Sequence, residues 1–417
     1  MSALRDRCET TRLLTDVAAG RRPADLVIRN GRWVNVHSGE ILDGTDLAIA
    51  GGRFASCGQP AEDLIGPETR VVDAAGRYLV PGLLDAHVHI ESAMLTVAQY
   101  ARAVVARGTT GLFIDPHEIA NVLGLPGVRL FLDEAAMLPI HVYAQIPSCV
   151  PAAPPLETSG ATLSPSEIEE AMSWPGVIGL GEVMDFPGVA SGAEEVHRKI
   201  GAALRAGRRI GGHYASPDLG RPFHAYVAGG PSDCHEGRTE DDLRARLRQG
   251  MAAMVRQASG WRDLERQLPA ILSTDDPIDP RHVLLCTDDR HAGTIVREGH
   301  MEGIVRTAIA HGVPPITAIQ MATLNTAEYF GVADEIGSIA PGRSGDLFLT
   351  EDLRDLRVDL VIASGNVVAE NGVLTSAWPE ANYPASARAT VHLPRPLRAE
   401  AFAPELPVTE GEVTVRV

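Results

Sequence analysis

Short apolar segments alternate with amphipathic ones through the middle of the sequence, and this alternation limits the possible folds more than any other feature. Strands that alternate with helices form parallel sheets, and roughly 250 residues of this pattern are typical of a (β/α)₈ barrel. A doubly wound sheet is the alternative, but no GxGxxG motif follows the first strand. The predicted strands are residues 79–84, 110–114, 141–145, 177–180, 209–212 and 282–286, and the predicted helices are residues 97–106, 167–172, 193–206, 239–256 and 300–311.

The two flanks of this region have a different pattern, in which short predicted strands are separated by turns. Residues 24–31 form a predicted strand that ends in an Asn-Gly turn, and residues 359–366 resemble this arrangement. We therefore predict a small β-sandwich domain that is formed from both chain ends. The predicted division assigns residues 1–80 to its N-terminal part, 81–335 to the barrel, and 336–417 to its C-terminal part and the tail.

Charge and hydropathy exclude several classes of function. The net charge of −17 argues against a nucleic-acid surface, which needs clustered Lys and Arg to neutralise phosphates. No apolar run of about 18 residues is present, and the N-terminus lacks the apolar stretch of a signal peptide, so we expect a cytoplasmic protein without a membrane span. The five cysteines include no CxxC pair, so neither a disulfide framework nor a zinc ribbon is expected.

Histidines and carboxylates follow the ends of the predicted strands. In a barrel, these carboxyl ends form the mouth of the active site. His87 and His89 alternate along the first strand and therefore share one face, so both imidazoles can reach a single metal ion. The other side chains of this kind are Asp115, His117, Glu118, Glu182, His213, His235, Asp288 and Asp289.

Each of these residues has an ordinary structural interpretation when it is taken alone. A histidine such as His213 is more often a hydrogen-bonded core residue than a ligand, and Glu182 could cap a helix. That interpretation would have to hold at six separate strand ends, so a joint metal site explains the pattern better. Imidazoles with carboxylates suit Zn²⁺, Mn²⁺ or Fe²⁺, and Glu182 could bridge two ions. Two such ions would lower the pKa of a shared water, and Asp288 could pass its proton to a leaving amine.

The triplet Thr-Asp-Asp occurs twice, at residues 287–289 and at residues 274–276. The second copy follows a helix-like stretch and precedes Pro277, so it is expected in the loop that enters the last strand. We therefore assign the chemistry to Asp288 and predict that Asp275 is a turn residue.

Several longer motifs resemble the adenine deaminase family of the amidohydrolase superfamily. The HxH pair alone would indicate only the superfamily, but DPHEIANV at residues 115–122 and GEVM at residues 181–184 are typical of adenine deaminases and their close relatives. The likeness extends from about residue 24 to about residue 395. The matching segments are residues 81–92, 115–124, 179–184, 286–291, 320–331 and 339–342.

The resemblance implies a hydrolytic deaminase of a purine-like base that converts adenine to hypoxanthine and ammonia. It implies two divalent metal ions, Mn²⁺ or Fe²⁺ by family expectation, with Zn²⁺ as the alternative. A metal-bridging hydroxide would attack C6 of adenine, with Asp288 as the proton shuttle and His235 as the second catalytic residue. The implied metal ligands are His87, His89, Glu182, His213, His235 and Asp288. The residues implied to contact the base, or alternatively to hydrogen-bond the ligands, are Glu91, His117, Glu118 and Asp289.

The sequence also departs from the family pattern. Family members usually continue into a further domain, and we expect this chain, which ends at Val417, to lack it. A Tyr-Ala pair follows His213 where Ala-Pro is expected, and Cys234 precedes His235. Both changes are expected on the rim of the pocket, so the metal chemistry is better supported than the identity of the base.

Two other functions remain open. The same metal site could open a cyclic amide or cleave an N-acyl bond, and release of ammonia from adenine would separate these reactions from deamination. A non-catalytic relative that uses the barrel as a binding module is the second alternative, although retention of all six ligands argues against it. The expected partner is a small heterocyclic base, and a homodimer is expected because barrel amidohydrolases often form dimers.

Overall fold

The structure is a computed structural model that describes residues 7–154, 156–393, 395–403, 410–412 and 414. The chain separates into two units, one that ends at Ala381 and one that runs from Asn382 to Val417. The second unit contains two short 3₁₀ turns, Ala385–Ala387 and Ala399–Phe402. None of the described helices is both long enough and apolar enough to span a lipid bilayer.

The larger unit begins with a helix and the first strands of a mixed sheet. The elements are α1 (Arg7–Ala18), β1 (Leu26–Asn35), β2 (Glu40–Ala50), β3 (Arg53–Cys57), β4 (Arg70–Asp73) and β5 (Tyr78–Pro81). Strand β1 pairs antiparallel with β2 and parallel with both β4 and β5, and Ile28, Leu47 and Ile49 fill the core against one face of the sheet.

Eight parallel strands then form the barrel. The first five strands, within residues 83–212, form one run of paired strands, and the last three, within residues 233–286, form another. Two backbone hydrogen bonds join the runs, from Ser232 N to Ile210 O at 2.9 Å and from Asp288 N to His87 O at 2.9 Å. The strands are β6 (Leu83–Val88), β7 (Thr109–Ile114), β8 (His141–Ile146), β9 (Val177–Val183), β10 (Arg209–Gly212), β11 (Asp233–Cys234), β12 (Ala252–Arg256) and β13 (Val283–Cys286). The predicted barrel is therefore confirmed.

Helices connect these strands in the order expected of a barrel. Four of the five predicted helices, at residues 97–106, 167–172, 193–206 and 300–311, agree with observed helices to within two residues at each end. The helices are α2 (Val97–Val105), α3 (His117–Leu123), α4 (Leu125–Ala135), α5 (Pro165–Ala171), α6 (Phe186–Ser191), α7 (Glu194–Arg205), α8 (Arg221–Ala228), α9 (Glu240–Arg248), α10 (Leu264–Leu272), α11 (Ala292–Glu298), α12 (Met301–Ala310), α13 (Pro315–Met321) and α14 (Leu324–Tyr329).

The chain returns to the mixed sheet after the barrel. Strand β14 (Leu347–Thr350) pairs antiparallel with β5, so the sheet contains segments that precede the barrel in sequence and segments that follow it, as predicted. The division into domains at residues 1–80, 81–335 and 336–417 remains a prediction. The last strands are β14 (Leu347–Thr350), β15 (Leu360–Ala363), β16 (Asn366–Glu370) and β17 (Val373–Leu374).

Three of the sequence predictions are wrong in their boundaries. The predicted strand 24–31 does not end in an Asn-Gly turn, because β1 continues through Asn30 and Gly31 with an irregularity in its register there. The predicted strand 79–84 is split into β5 of the mixed sheet and β6 of the barrel. Gly82 separates them and lies so close to β7 that a Cβ atom there would be 2.1 Å from Thr110 Oγ1. The predicted helix 239–256 is also two elements, α9 and β12, because Gly250 adopts a φ of +80° and ends the helical segment.

Candidate metal centre

Six buried or half-buried side chains meet at the carboxyl ends of the barrel strands. They come from five different strands and from the positions directly after them, so the barrel brings together residues that are up to two hundred positions apart in sequence. All except His213 have side chains that are at most 7% exposed, and His213 is 23% exposed. The six are His87, His89, Glu182, His213, His235 and Asp288, which are the predicted metal ligands.

Glu182 lies at the centre of this group and faces five imidazoles, those of the four predicted histidine ligands and that of His117, whose Nδ1 atom is 3.8 Å from Glu182 Oε1. Its Oε2 atom is 2.6 Å from His213 Nδ1, 3.1 Å from His235 Nε2 and 4.0 Å from His87 Nε2. Its Oε1 atom is 3.6 Å from His89 Nε2. Because the two carboxylate oxygens point at different histidines, each oxygen could hold a cation together with the imidazoles beside it.

His87, His89 and Asp288 form a second cluster beside Glu182. The Nε2 atoms of the two histidines are 3.1 Å apart, and Asp288 Oδ1 is 3.6 Å and 3.5 Å from them. His89 Nδ1 is 3.0 Å from the backbone oxygen of Asp115, which can only accept, so Nδ1 donates this hydrogen bond. Burial alone would lower the pKa of His89, but nearby carboxylates, Glu182 foremost, outweigh it and raise that pKa when no cation is bound. Once Nε2 loses its proton to a cation, the donor at Nδ1 leaves the tautomer that a metal ligand needs.

The spacing of these atoms fits a divalent cation. Bonds of about 2.0–2.2 Å to nitrogen and oxygen put neighbouring ligand atoms on one ion about 3–3.5 Å apart. Most of the separations above lie close to that range, and the ligand atoms form overlapping groups whose members lie within 4.8 Å of one another. The four groups are His87–Glu182–His235, His87–His89–Asp288, His213–His235–Glu236 and Asp115–His117–Glu182.

The two central carboxylates differ in their electrostatic surroundings. Burial alone would raise the pKa of Glu182, but His213, His235 and His89 outweigh it and hold that pKa well below its usual range. For Asp288, burial dominates and raises the pKa, although His235 and His89 oppose the shift. Glu182 therefore stays ionised, whereas Asp288 holds a proton more readily, and this difference suits a ligand and a proton carrier respectively.

The backbone fixes Asp288 in an unusual conformation. Its φ is +55°, in the left-handed region that a residue with a Cβ rarely adopts. The preceding residue, Thr287, donates its backbone N–H to Asp85 Oδ1 at 2.9 Å, and His300 Nε2 lies 3.1 Å from Asp85 Oδ2. Asp85 and His300 are completely buried, so this polar network below the site holds the end of β13 in place.

A cavity of about 360 Å³ opens over the cluster, which is within the range of small-molecule sites. His117, Glu118 and Asp289, three of the residues predicted to contact a base, line it. Glu91 is not among its lining residues, and its Oε1 atom accepts a hydrogen bond from Ile119 N at 3.1 Å. Burial and the nearby Glu118 raise the pKa of Glu91 to about 7.

The sequence analysis gives no role to several residues that line this cavity, among them Glu236, Arg256 and Trp261. Arg256 ends the apolar run of β12, so it follows the same rule as the predicted ligands, but its strand was assigned to a helix. Glu236 directly follows His235 and received no role. Cys234 was expected on the rim of the pocket, and this prediction is wrong. The side chain is buried, and its Sγ atom accepts a hydrogen bond from Tyr214 N at 3.3 Å.

The barrel and its cluster of imidazoles and carboxylates define a class of hydrolase, and comparison with known proteins assigns the chain to it. Residues 78–368 match the amidohydrolase family, and this region is more than half of the chain. The chain therefore belongs to the amidohydrolase family.

Among curated relatives, the chain is similar to adenine deaminases, as the motifs predicted. It is 58% identical over 404 residues to adenine deaminase of Mesorhizobium japonicum, which is 97% of this chain and 66% of the relative. It is 57% identical over 389 residues to adenine deaminase 3 of Rhizobium meliloti, which is 93% of this chain and 65% of the relative. The chain thus spans about two thirds of the length of these relatives.

Solved structures of similar fold are more distant in sequence. Atrazine chlorohydrolase TrzN of Arthrobacter aurescens TC1, complexed with zinc, has a TM-score of 0.63 at 17% identity and matches 84% of this chain and 97% of its own. Molinate hydrolase has a TM-score of 0.60 at 18% identity over 87% of this chain and 99% of its own. These likenesses support the fold alone.

Proposed function

We propose that this chain removes the amino group of adenine by hydrolysis, giving hypoxanthine and ammonia, at a site with two divalent metal ions. The observation that carries the proposal is the convergence of six candidate ligands on Glu182 beneath a small open cavity. Similarity to adenine deaminases over nearly the whole chain supports adenine as the base.

The proposed metal site uses nitrogen and oxygen ligands of intermediate softness, which suit Mn²⁺, Fe²⁺ and Zn²⁺. Family resemblance favours Mn²⁺ or Fe²⁺. When bound, such ions lower the pKa of a coordinated water and so supply a nucleophile near neutral pH. The proposed ligands are His87, His89, Glu182, His213, His235 and Asp288.

Asp288 is the proposed proton carrier. Its Oδ1 atom faces His87 and His89 at 3.6 Å and 3.5 Å, so it adjoins the position where the nucleophile would form. During the reaction a C–O bond forms at C6 of adenine and the bond from C6 to the exocyclic nitrogen breaks. Asp288 would accept the proton from water and deliver it to that nitrogen, which leaves as ammonia. His235, close to Glu182, is the second proposed catalytic residue.

The cavity wall supports binding of a flat polar ring. Glu118 and Asp289 offer carboxylate oxygens and His117 offers an imidazole, while Trp261 adds an aromatic side chain whose ring lies beneath the guanidinium groups of Arg238 and Arg256, 5.1 Å and 5.5 Å from its centroid. Glu91 would act through the backbone of Ile119 instead of touching the base. The homodimer and the cytoplasmic location expected from the sequence remain predictions.

Ammonia release measures the proposed activity directly. Protein loaded with Mn²⁺ or Fe²⁺ is expected to release ammonia from adenine faster than from other aminopurines, aminopyrimidines or pterins. Removal of the metal by a chelator should abolish the reaction, and addition of the ion should restore it. Opening of a cyclic amide without ammonia release would favour another amidohydrolase reaction. Fully loaded protein that hydrolyses no heterocycle would favour a binding module.

A further inference from the structure

Arg256, at the end of β12, is buried among three carboxylates at the barrel mouth. It is 2% exposed. Its Nη1 atom donates to Asp288 Oδ2 at 3.1 Å, its Nη2 atom donates to Glu236 Oε2 at 3.1 Å, and its Nε atom donates to Asp263 Oδ2 at 2.9 Å. The Nη1 atom also donates to Glu236 Oε1. One guanidinium therefore links residues that follow β11, β12 and β13.

The two oxygens of Asp288 have different neighbours as a result. Oδ1 faces the imidazoles of His87 and His89, whereas Oδ2 accepts a hydrogen bond from Arg256. A carboxylate held at one oxygen cannot rotate freely about its Cβ–Cγ bond. The guanidinium therefore directs the other oxygen toward His87 and His89, two of the proposed metal ligands.

Glu236 and Asp263 hold the arginine in turn. Glu236 uses both oxygens on the guanidinium, in the paired geometry that a planar arginine fork favours. Glu236 Oε1 is also 3.8 Å from His213 Nε2 and 3.7 Å from His235 Nε2, so it could be read as a metal ligand. Because both of its oxygens already accept from Arg256, the contacts favour a role as an anchor of the arginine.

We propose that Arg256 is a positioning residue that orients Asp288 for proton transfer, with Glu236 and Asp263 as its anchors. This inference rests on the proposed deamination. Arginine meets the requirement because its planar fork holds donors in fixed directions toward three carboxylates, whereas lysine offers one ammonium with rotatable donors at the end of a flexible chain. Loss of the fork would leave Asp288 beside the nucleophile but free to turn away from it.

Kinetics of Arg256→Ala and Arg256→Lys test this inference. Arg256→Ala is expected to lower kcat by about 100-fold, the effect of a small misplacement of a catalytic group, while KM changes by less than about threefold. Arg256→Lys should keep more activity than the alanine variant but less than the wild type. Added guanidinium ion should partly restore kcat of Arg256→Ala. Metal content, measured on the same samples, should match that of the wild type.

Arg244 provides a matched control, because it is also a buried arginine bound to two carboxylates. It pairs with Glu240 at 2.9 Å and with Asp276 at 3.0 Å and does not line the cavity. Arg244→Ala is expected to lower thermal stability without changing kcat or guanidinium response.

Three results would overturn the inference while leaving the proposed function intact. The first is wild-type kcat in both Arg256 variants. The second is a loss of kcat that follows loss of bound metal, which would make Arg256 a support of the metal site. The third is equal activity of the lysine variant and the wild type, and this result decides the question even if Arg256→Ala does not fold. Absence of ammonia release by the wild type would instead count against the proposed function.

Discussion

Replacement of Asp288 by Asn is expected to lower kcat for adenine deamination by about 10²- to 10⁴-fold while the metal content stays near that of the wild type. The other five proposed ligands are unchanged in this variant, so we expect the ions to stay bound, whereas the amide has one oxygen where Asp288 uses two, Oδ1 at 3.5 Å from His89 Nε2 and Oδ2 at 3.1 Å from Arg256 Nη1. An amide does not accept a proton near neutral pH, so transfer from water to the leaving amine is lost. Ammonia release and metal analysis of one preparation measure the two effects.

The repeated Thr-Asp-Asp triplet supplies a control for this variant. Asp275 lies in an exposed bend after α10 and has the same neighbours in sequence as Asp288. Asp275→Asn should therefore leave both kcat and metal content unchanged. If Asp288→Asn retains wild-type kcat, the role of proton carrier is refuted. If it loses metal and activity together, Asp288 is a ligand and another group carries the proton.

Replacement of Glu182 by Gln is expected to weaken metal binding by at least about 100-fold. The rate of deamination should fall in proportion to the metal that is lost. Loss of a partner that only orients a ligand costs about 10- to 100-fold in metal affinity, and Glu182 lies at the centre of the cluster. Its oxygens are 2.6 Å from His213 and 3.1 Å from His235, so the neutral amide removes the negative charge that offsets bound cations. Competition between the protein and a chelator of known affinity measures the change.

Glu134→Gln is the matched control, because Glu134 is also a buried glutamate. It lies in α4, outside the cavity, and accepts hydrogen bonds from Thr96 Oγ1 and from the backbone of Val97 and Ala98. We expect a loss of stability with normal metal binding. Equal metal affinity of Glu182→Gln and the wild type would remove Glu182 from the ligand set.

The sequence allows prediction of those parts of the site in which a polar residue ends a strong apolar run. Glu182 follows a continuous apolar segment, and Asp288 follows another, so both ends could be identified without coordinates. A barrel places all such ends at one mouth, because its strands are parallel. The rule that located the ligands is therefore a consequence of the fold and required no knowledge of distances.

Other parts of the site depend on interactions that leave little trace in sequence. Strand β11 has only two residues, too few for a periodic pattern, so its neighbours in the barrel define it. In residues 239–256, apolar positions spaced as in a helix continue past Gly250 into β12, and only the turn at that glycine separates the two elements. Because β12 was predicted as part of a helix, Arg256 could not be recognised as a polar residue at the end of a barrel strand. The bonds from Arg256 to Asp288 and Glu236 join distant segments and could not be inferred from local pattern.

Anomalous diffraction from crystals of the Mn²⁺-loaded protein tests the central claim most directly. The account predicts two peaks at the barrel mouth, each within about 2.0–2.3 Å of its ligand atoms, with Glu182 between them. The nitrogen and oxygen atoms around the two peaks should belong to His87, His89, His213, His235 and Asp288. Metal-loaded crystals whose anomalous peaks lie away from Glu182 and these residues would contradict it.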